Sequence, residues 1–270
     1  MQLTEQEENY MSRINMVMTE RTTRISDKEL QIIFGSKEFD SYHERADALS
    51  YLVLNHFMYY RNKYKYVDYS LPNLSDLATS VSKSNRTSKL FKRGGTLDYL
   101  NLLKPSQRAP VAFEEDVIHT EKVVLSNPKQ FVPCPMFGWY ADGQSEGKGL
   151  YYRSPMLQNI AIDMSVYVYC MVHLSSKEYL LYTYIYWKAT RLGHMNYSLS
   201  YLTKELNLSK KTIAKLLSSL RERNMITLSN VDEAISISQS TIKNNNSYRP
   251  NRREEFHEKP QKIAKRALKR

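Results

Sequence analysis

Two things are scarce in this 270-residue chain, and a third is missing. It has only two cysteines, Cys134 and Cys170, with no CxxC pair or Cys/His cluster, which argues against a disulfide framework and a structural zinc site. No apolar run approaches the roughly 18 residues needed to cross a bilayer, and Met1 to Asn9 is acidic and polar. A soluble, cytoplasmic protein with no membrane partner is therefore expected. The six histidines (His43, His56, His119, His173, His194, His257) are never closer than 13 residues, so the His-x-His pair of a metal-dependent nickase is missing. There is no GxxxxGK[ST] loop, no GxGxxG after a strand, no HExxH and no GxSxG, so the common nucleotide-binding and hydrolytic machinery is not visible. The expectation is a protein without catalysis and without a cofactor.

What the chain has is positive charge, and the charge is clustered. It carries 39 Lys+Arg against 28 Asp+Glu, a net +11, with a hydrophobic fraction of 41% that is ordinary for a globular protein. Residues 61–104 are net +6, residues 197–226 net +4 and residues 241–270 net +7. The rest is slightly acidic, so the positive charge marks particular segments, as a binding face for a polyanion would.

The clearest pattern begins at Leu174. Ser175 or Ser176 caps a helix whose apolar positions Tyr179, Leu180, Tyr182, Ile185, Tyr186 and Ala189 fall near helical spacing, and Gly193 ends it. Ser198 caps a short second helix carrying Leu199, Leu202 and Leu206. After the turn Asn207-Leu208, Ser209 caps a third helix in which Ile213, Leu216, Leu217 and Leu220 form one buried stripe, and Asn224 stops it. Met225–Leu228 and Ala234–Ile237 read as two short strands around a polar turn. The buried stripe turns Lys211, Lys215, Ser218 and Glu222 outward, flanked by Thr212 and Ser219, while Ser209, Lys210 and Lys211 sit at the helix N-terminus where free N–H groups favour a phosphate.

This order resembles the winged helix-turn-helix modules of bacterial regulators and of plasmid and phage replication proteins, over residues 174–237. The pattern is more specific for fold than for function. The competing readings are a helical hairpin packed in a core and a winged module used for protein contacts. A second copy is suggested upstream, where Tyr69-Ser70-Leu71-Pro72-Asn73-Leu74 repeats Tyr197-Ser198-Leu199-Ser200-Tyr201-Leu202 at Tyr, Ser and both leucines. An aromatic-rich helix over 46–60 precedes it and a basic helix start over 82–93 follows, interrupted by Gly94-Gly95.

The fold class expected is mainly α with small β-hairpins (α+β), a winged helix-turn-helix in one or two tandem copies with a disordered basic tail. The divisions are 1–104, an N-terminal helical region that would hold the first winged module; 105–155, a linker or strand region punctuated by Pro105, Pro110, Pro128, Pro133 and Pro135; 156–240, the winged domain; and 241–270, the tail. The resemblance implies a sequence-specific double-stranded DNA-binding protein, first an origin-recognising initiator of plasmid or phage replication. A transcriptional regulator is the runner-up, and an adaptor or helicase loader that binds proteins comes next. Lys211, Thr212, Lys215, Ser218 and Ser219 are candidates for groove contact, with Ser209 at the helix start and Lys210, Arg221, Arg223 and the tail on phosphate. Asn85, Arg86, Thr87, Lys89, Lys92 and Arg93 are their counterparts upstream. Besides double-stranded DNA, a homodimer and host replication proteins are candidate partners.

Tyrosine is abundant at 21 residues, but nucleophilic tyrosine chemistry lacks its partner groups; Tyr51, Tyr59, Tyr60, Tyr179, Tyr182, Tyr184 and Tyr186 read as half-buried helix residues with hydrated tips. Glu114-Glu115-Asp116 could hold Mg²⁺, but three adjacent carboxylates in a Pro-flanked segment read rather as a solvated loop, and Cys134 reads as a small buried or loop residue.

Overall fold

In a computed structural model of the chain the described residues are 3–14, 22–61, 90, 94–100, 102–106, 108–111, 121–124, 132–135, 159–192, 195–230 and 246–262. Helices dominate, with small antiparallel sheets, so the coarse α+β class holds. The chain divides into two compact units, Leu3–His173 and Leu174–Arg270.

The first unit holds α1 (Glu5–Arg13), β1 (Thr22–Ser26), α2 (Asp27–Gly35), α3 (Tyr42–Arg61), the single turn α4 (Thr96–Tyr99), strands β2 (Leu103–Ser106), β3 (Arg108–Val111), β4 (Glu121–Val124), β5 (Val132–Pro135) and β6 (Asn159–Asp163), and α5 (Met164–His173). Both α1 and α2 start on a reciprocal capping box, Thr4 with Glu7 and Ser26 with Glu29, which satisfies two otherwise free N–H groups at each start. Helix α3 is buried on every side, through Ala46, Ala48, Leu49, Tyr51, Leu52, Val53, Leu54 and Phe57, as expected of a helix at the centre of a core. Two of its buried polar side chains have partners on other segments: Glu44 accepts from the Asp40 amide at 2.8 Å and the Thr96 hydroxyl at 3.2 Å, and His56 Nε2 lies 2.7 Å from Glu29 Oε1. Strands β2 and β5 pair, as do β3 and β4.

Strand β1 pairs antiparallel with β6, Thr22 opposite Asp163 through Ser26 opposite Asn159. That pairing corrects the expected divisions. Residues 159–173 belong with the N-terminal elements, so the second unit begins at Leu174 rather than 156, and the strands found within 105–155 belong to the first unit rather than to a linker. The expected helix over 46–60 is α3; the rest of the proposed upstream module, residues 62–89 with 91–93, and the triplet Glu114-Glu115-Asp116 lie outside the described residues.

The second unit runs α6 (Ser176–Leu192), β7 (Met195–Tyr197), α7 (Leu199–Leu206), α8 (Lys210–Glu222), β8 (Ile226–Asn230), β9 (Asn246–Pro250) and a 3-10 turn (Arg253–Glu255). Its sheet has the order β7-β9-β8, all antiparallel. Tyr248 stands opposite Met195 on one side and Leu228 on the other, and all three are buried. This row explains a second correction: the strand beside β8 is Asn246–Pro250, inside the segment expected to be a disordered tail. Ala234–Ile237 lies outside the described residues. Burial alternates along β9, with Asn246 and Tyr248 inward and Arg249 exposed, the period of a half-buried strand.

The segment after β9 is also built into the fold. Asn251, Arg253 and Phe256 are buried, Phe256 packs edge-on to Tyr182 with ring centroids 6.1 Å apart, and the Arg253 guanidinium lies 5.6 Å from the Phe256 ring centre. The basic composition of 241–270 concealed this because a few buried side chains hold it while backbone bonds supply the rest. The helix tyrosines are likewise deeper than expected: Tyr51, Tyr179 and Tyr184 are fully buried, and the hydroxyls of Tyr182 and Tyr184 donate to Asn251 O and Glu205 rather than to water alone.

Candidate nucleic-acid interface

Helices α7 and α8 are the most amphipathic of the second unit's segments, and their ends are fixed by local chemistry. The Ser198 hydroxyl accepts from the Tyr201 amide at 3.1 Å to start α7. The chain then turns within three residues, Asn207 to Ser209, with Asn207 in the left-handed region (φ 51°), a conformation asparagine tolerates better than most residues. The Ser209 hydroxyl accepts from the Thr212 amide at 3.1 Å, starting α8. The far end closes in a Schellman arrangement. Met225 N–H donates to Leu220 O and Asn224 N–H to Arg221 O, both at 2.8 Å, with Asn224 left-handed at φ 54°.

Ile213, Leu216, Leu217 and Leu220 are buried, each contributing about 1.5–3 kcal/mol by leaving water. Their burial fixes the rotation of α8. Lys210, Lys211, Thr212 and Lys215 are exposed on the opposite side, with Ser218 and Ser219 half-buried beside them. The three lysines form no ion pair among the described residues, leaving their charge available. Three hydroxyls are partly engaged: Ser209 and Thr212 share a 2.9 Å hydrogen bond, and Ser218 donates to Glu222 at 3.0 Å. The latter bond draws Glu222 back along the helix surface and tempers the only acidic group on this face.

Arg221 and Arg223, expected on phosphate, are half-buried. The Arg223 guanidinium donates to the Glu258 carbonyl, and the residue's own carbonyl accepts from the His257 amide at 2.9 Å. One guanidinium donor of Arg223 thus ties the C-terminal segment to the end of α8. Asn85, Arg86, Thr87, Lys89, Lys92 and Arg93 lie outside the described residues.

Two exposed residues on the sheet were not anticipated. Thr227 and Arg249 stand opposite each other on β8 and β9. The alternation of Asn246-Ser247-Tyr248-Arg249 was the available signal, masked by the low apolar content around it. Beside α7, the Tyr197 and Tyr201 rings stack with centroids 4.3 Å apart, and the Tyr184 hydroxyl donates to Glu205 at 3.3 Å. Burial first, then the Glu205 carboxylate, raises the Tyr184 and Tyr201 hydroxyls above the ordinary tyrosine range, so both stay neutral beside that charge.

Among the described residues no group of three His, Cys, Asp or Glu side chains is placed to hold a metal ion, and no helix is long and apolar enough to cross a membrane. Comparison with protein-family models, curated proteins and solved structures finds no match.

Proposed function

We propose that the second unit is a winged helix-turn-helix module that binds double-stranded DNA without catalysis, with α8 as the helix that enters the major groove. The observation that carries this reading is the combination on one helix of a fully buried stripe and an opposite face bearing Lys210, Lys211, Thr212 and Lys215, presented after a three-residue turn. Helices joined this tightly cross steeply, which projects the second from the surface. The order helix, strand, helix, helix, strand, strand, with the first strand added to the edge of the hairpin sheet, supports the winged form. Lys211 and Lys215, four residues apart, lie one above the other and suit guanine edges; Lys210 and the free N–H groups of the first turn suit a phosphate.

Binding to a random-sequence duplex, followed by fluorescence anisotropy across a salt series, tests the reading. Salt-sensitive association is expected, and Lys215→Ala should relax preference for a selected site by about 5- to 100-fold while binding to random duplex changes little. No association at low salt would refute it and favour an adaptor that binds proteins. Within DNA binding, origin recognition for a plasmid or phage replicon is the role proposed, supported by the resemblance of the α7–α8 segment to such proteins. Footprinting on the DNA flanking the gene should show repeated direct sites; a single palindrome over a promoter would point to a transcriptional regulator instead.

A further inference from the structure

The outward face of α7 carries an aromatic ring where a surface helix ordinarily carries polar side chains. Leu199, Leu202 and Leu206 are buried, so at 3.6 residues per turn the opposite face centres on Tyr201, with Lys204 and Glu205 on either side, and all three of these are exposed. Tyr201, at 36% exposure, is one of three large hydrophobic side chains left open among the described residues. Its ring is nonetheless held in place. It lies nearly parallel to the ring of Tyr197, at the end of β7, with centroids 4.3 Å and planes 11° apart. The result is a flat, fixed and partly open aromatic surface.

Beside it stands a carboxylate without a cationic partner. Glu205 follows Tyr201 by one helical turn, accepts the Tyr184 hydroxyl at 3.3 Å, and lies close enough to Tyr201 to add to burial in raising that hydroxyl above its ordinary range. It makes no ion pair among the described residues. Lys188, one turn beyond Tyr184 on α6, is engaged elsewhere, with its Nζ 4.3 Å from the Trp187 ring centre and 5.5 Å from that of Tyr184. Lys204 adjoins Glu205 in sequence, a spacing at which helical side chains do not face one another. A carboxylate offers about four lone-pair sites, so tyrosine hydroxyls leave room for further donors. An open ring with such a carboxylate one turn away matches a guanidinium, which stacks by its flat face and donates in a fork along its edge; an ammonium is only a point charge. A nucleic-acid strand would suit the rings but would set its phosphates against Glu205.

We propose that Tyr197, Tyr201 and Glu205 form a seat for an arginine side chain presented by a partner protein, its guanidinium lying over the exposed Tyr201 ring and donating to the Glu205 carboxylate. The seat is a shallow face of one helix, so a lone arginine binds it weakly and the partner's surrounding surface supplies the remaining affinity. It uses no residue of the α8 face. Arginine binding and duplex binding can therefore succeed or fail separately.

The test follows the ring signals of Tyr197 and Tyr201 by NMR, in the full chain with carbon-labelled tyrosine, during titration with the capped peptide Gly-Arg-Gly and with the same peptide carrying lysine or citrulline, the uncharged isostere of arginine. The arginine peptide should shift both rings saturably in the millimolar range and more tightly than the lysine peptide, while the citrulline peptide leaves them in place. Glu205→Gln should weaken the arginine peptide by about 3- to 10-fold, and Tyr201→Phe, which keeps the ring, should retain most of the binding that Tyr201→Ala loses. Melting curves accompany each variant; if Tyr201→Ala unfolds, Glu205→Gln, at an exposed position, carries the test. No shift with the arginine peptide, equal shifts with citrulline, or undiminished affinity in Glu205→Gln would overturn the seat. Ring shifts produced by a single-stranded oligothymidylate in place of the arginine peptide would overturn it in favour of a base-stacking surface.

Discussion

Asn251 is the residue on which the junction of α8, β8 and β9 turns, and its replacement by alanine has a calculable effect. The side chain is buried, and each of its polar atoms is engaged: Nδ2 donates to Asn224 O at 2.9 Å and to Asn224 Oδ1 at 3.1 Å, and Oδ1 accepts from the Thr227 hydroxyl at 2.9 Å. The backbone bonds at the same residue, from its amide to Met225 O at 2.8 Å and from the Tyr182 hydroxyl to its carbonyl at 3.0 Å, survive in the variant. Removing three hydrogen bonds at about 0.5–1.5 kcal/mol each gives a destabilisation centred near 3 kcal/mol. For a unit of this size that lowers the melting temperature by about 12–24 °C. Scanning calorimetry, which separates the transitions of two units where they unfold independently, is the assay. Arg252→Ala, the exposed neighbour, is the control and should stay within about 0.5 kcal/mol. Asn251→Asp keeps the acceptor for Thr227 but cannot donate to Asn224, so it isolates the donor half of the network. A loss for Asn251→Ala no greater than that of Arg252→Ala would refute the view that this segment is part of the fold.

Ser209→Ala should cost about 0.5–2 kcal/mol in urea unfolding, because the Thr212 amide loses its acceptor at the start of α8. In the first unit, His56→Ala should cost about 1–3 kcal/mol in chemical denaturation, since Glu29 Oε1 loses the partner 2.7 Å away while Oε2 keeps its bonds to Ser26; a loss below about 0.5 kcal/mol would show that the pair is not a structural tie. The Tyr184 hydroxyl titrates higher in the folded chain than its ordinary value of 10.0, chiefly through burial, so its contribution is fully present below about pH 10 and is lost as the pH climbs above it. Tyr184→Phe should therefore make stability fall less steeply above pH 10, with Tyr248, raised by burial as well, sustaining the remainder.

The extent to which this fold is legible in the sequence depends on where each element draws its stability. The serines and asparagines that bound α7 and α8, with the leucine stripe between them, act within one or two turns, so Ser198, Asn207, Ser209 and Asn224 are readable as caps and turns from residue type and spacing. Strand β9 draws its stability from residues far away in the chain: Tyr248 is inward only because Met195 and Leu228 flank it, and no local periodicity of five residues competes with the polar, basic composition around it. The same holds for the division of the chain, which depends on β1 meeting β6 across more than a hundred residues.

The consequence for the candidate site is specific. Outward lysines on α8 follow from the buried stripe and were legible, whereas the occupation of Arg223 was not, because its acceptor is a backbone carbonyl 35 positions away. Positive charge in the segments 197–226 and 241–270 therefore divides into two kinds. Arg223 and Arg253 are used to hold the C-terminal segment on α8 and Phe256, and substituting them should act first on stability. Lys210, Lys211 and Lys215 stand in no such network among the described residues, and substituting them should act on binding with little effect on folding. Net charge alone cannot separate these groups; hydrogen-bond partners do, and a basic residue in a DNA-binding candidate counts toward the interface only when the fold has not already claimed its donors.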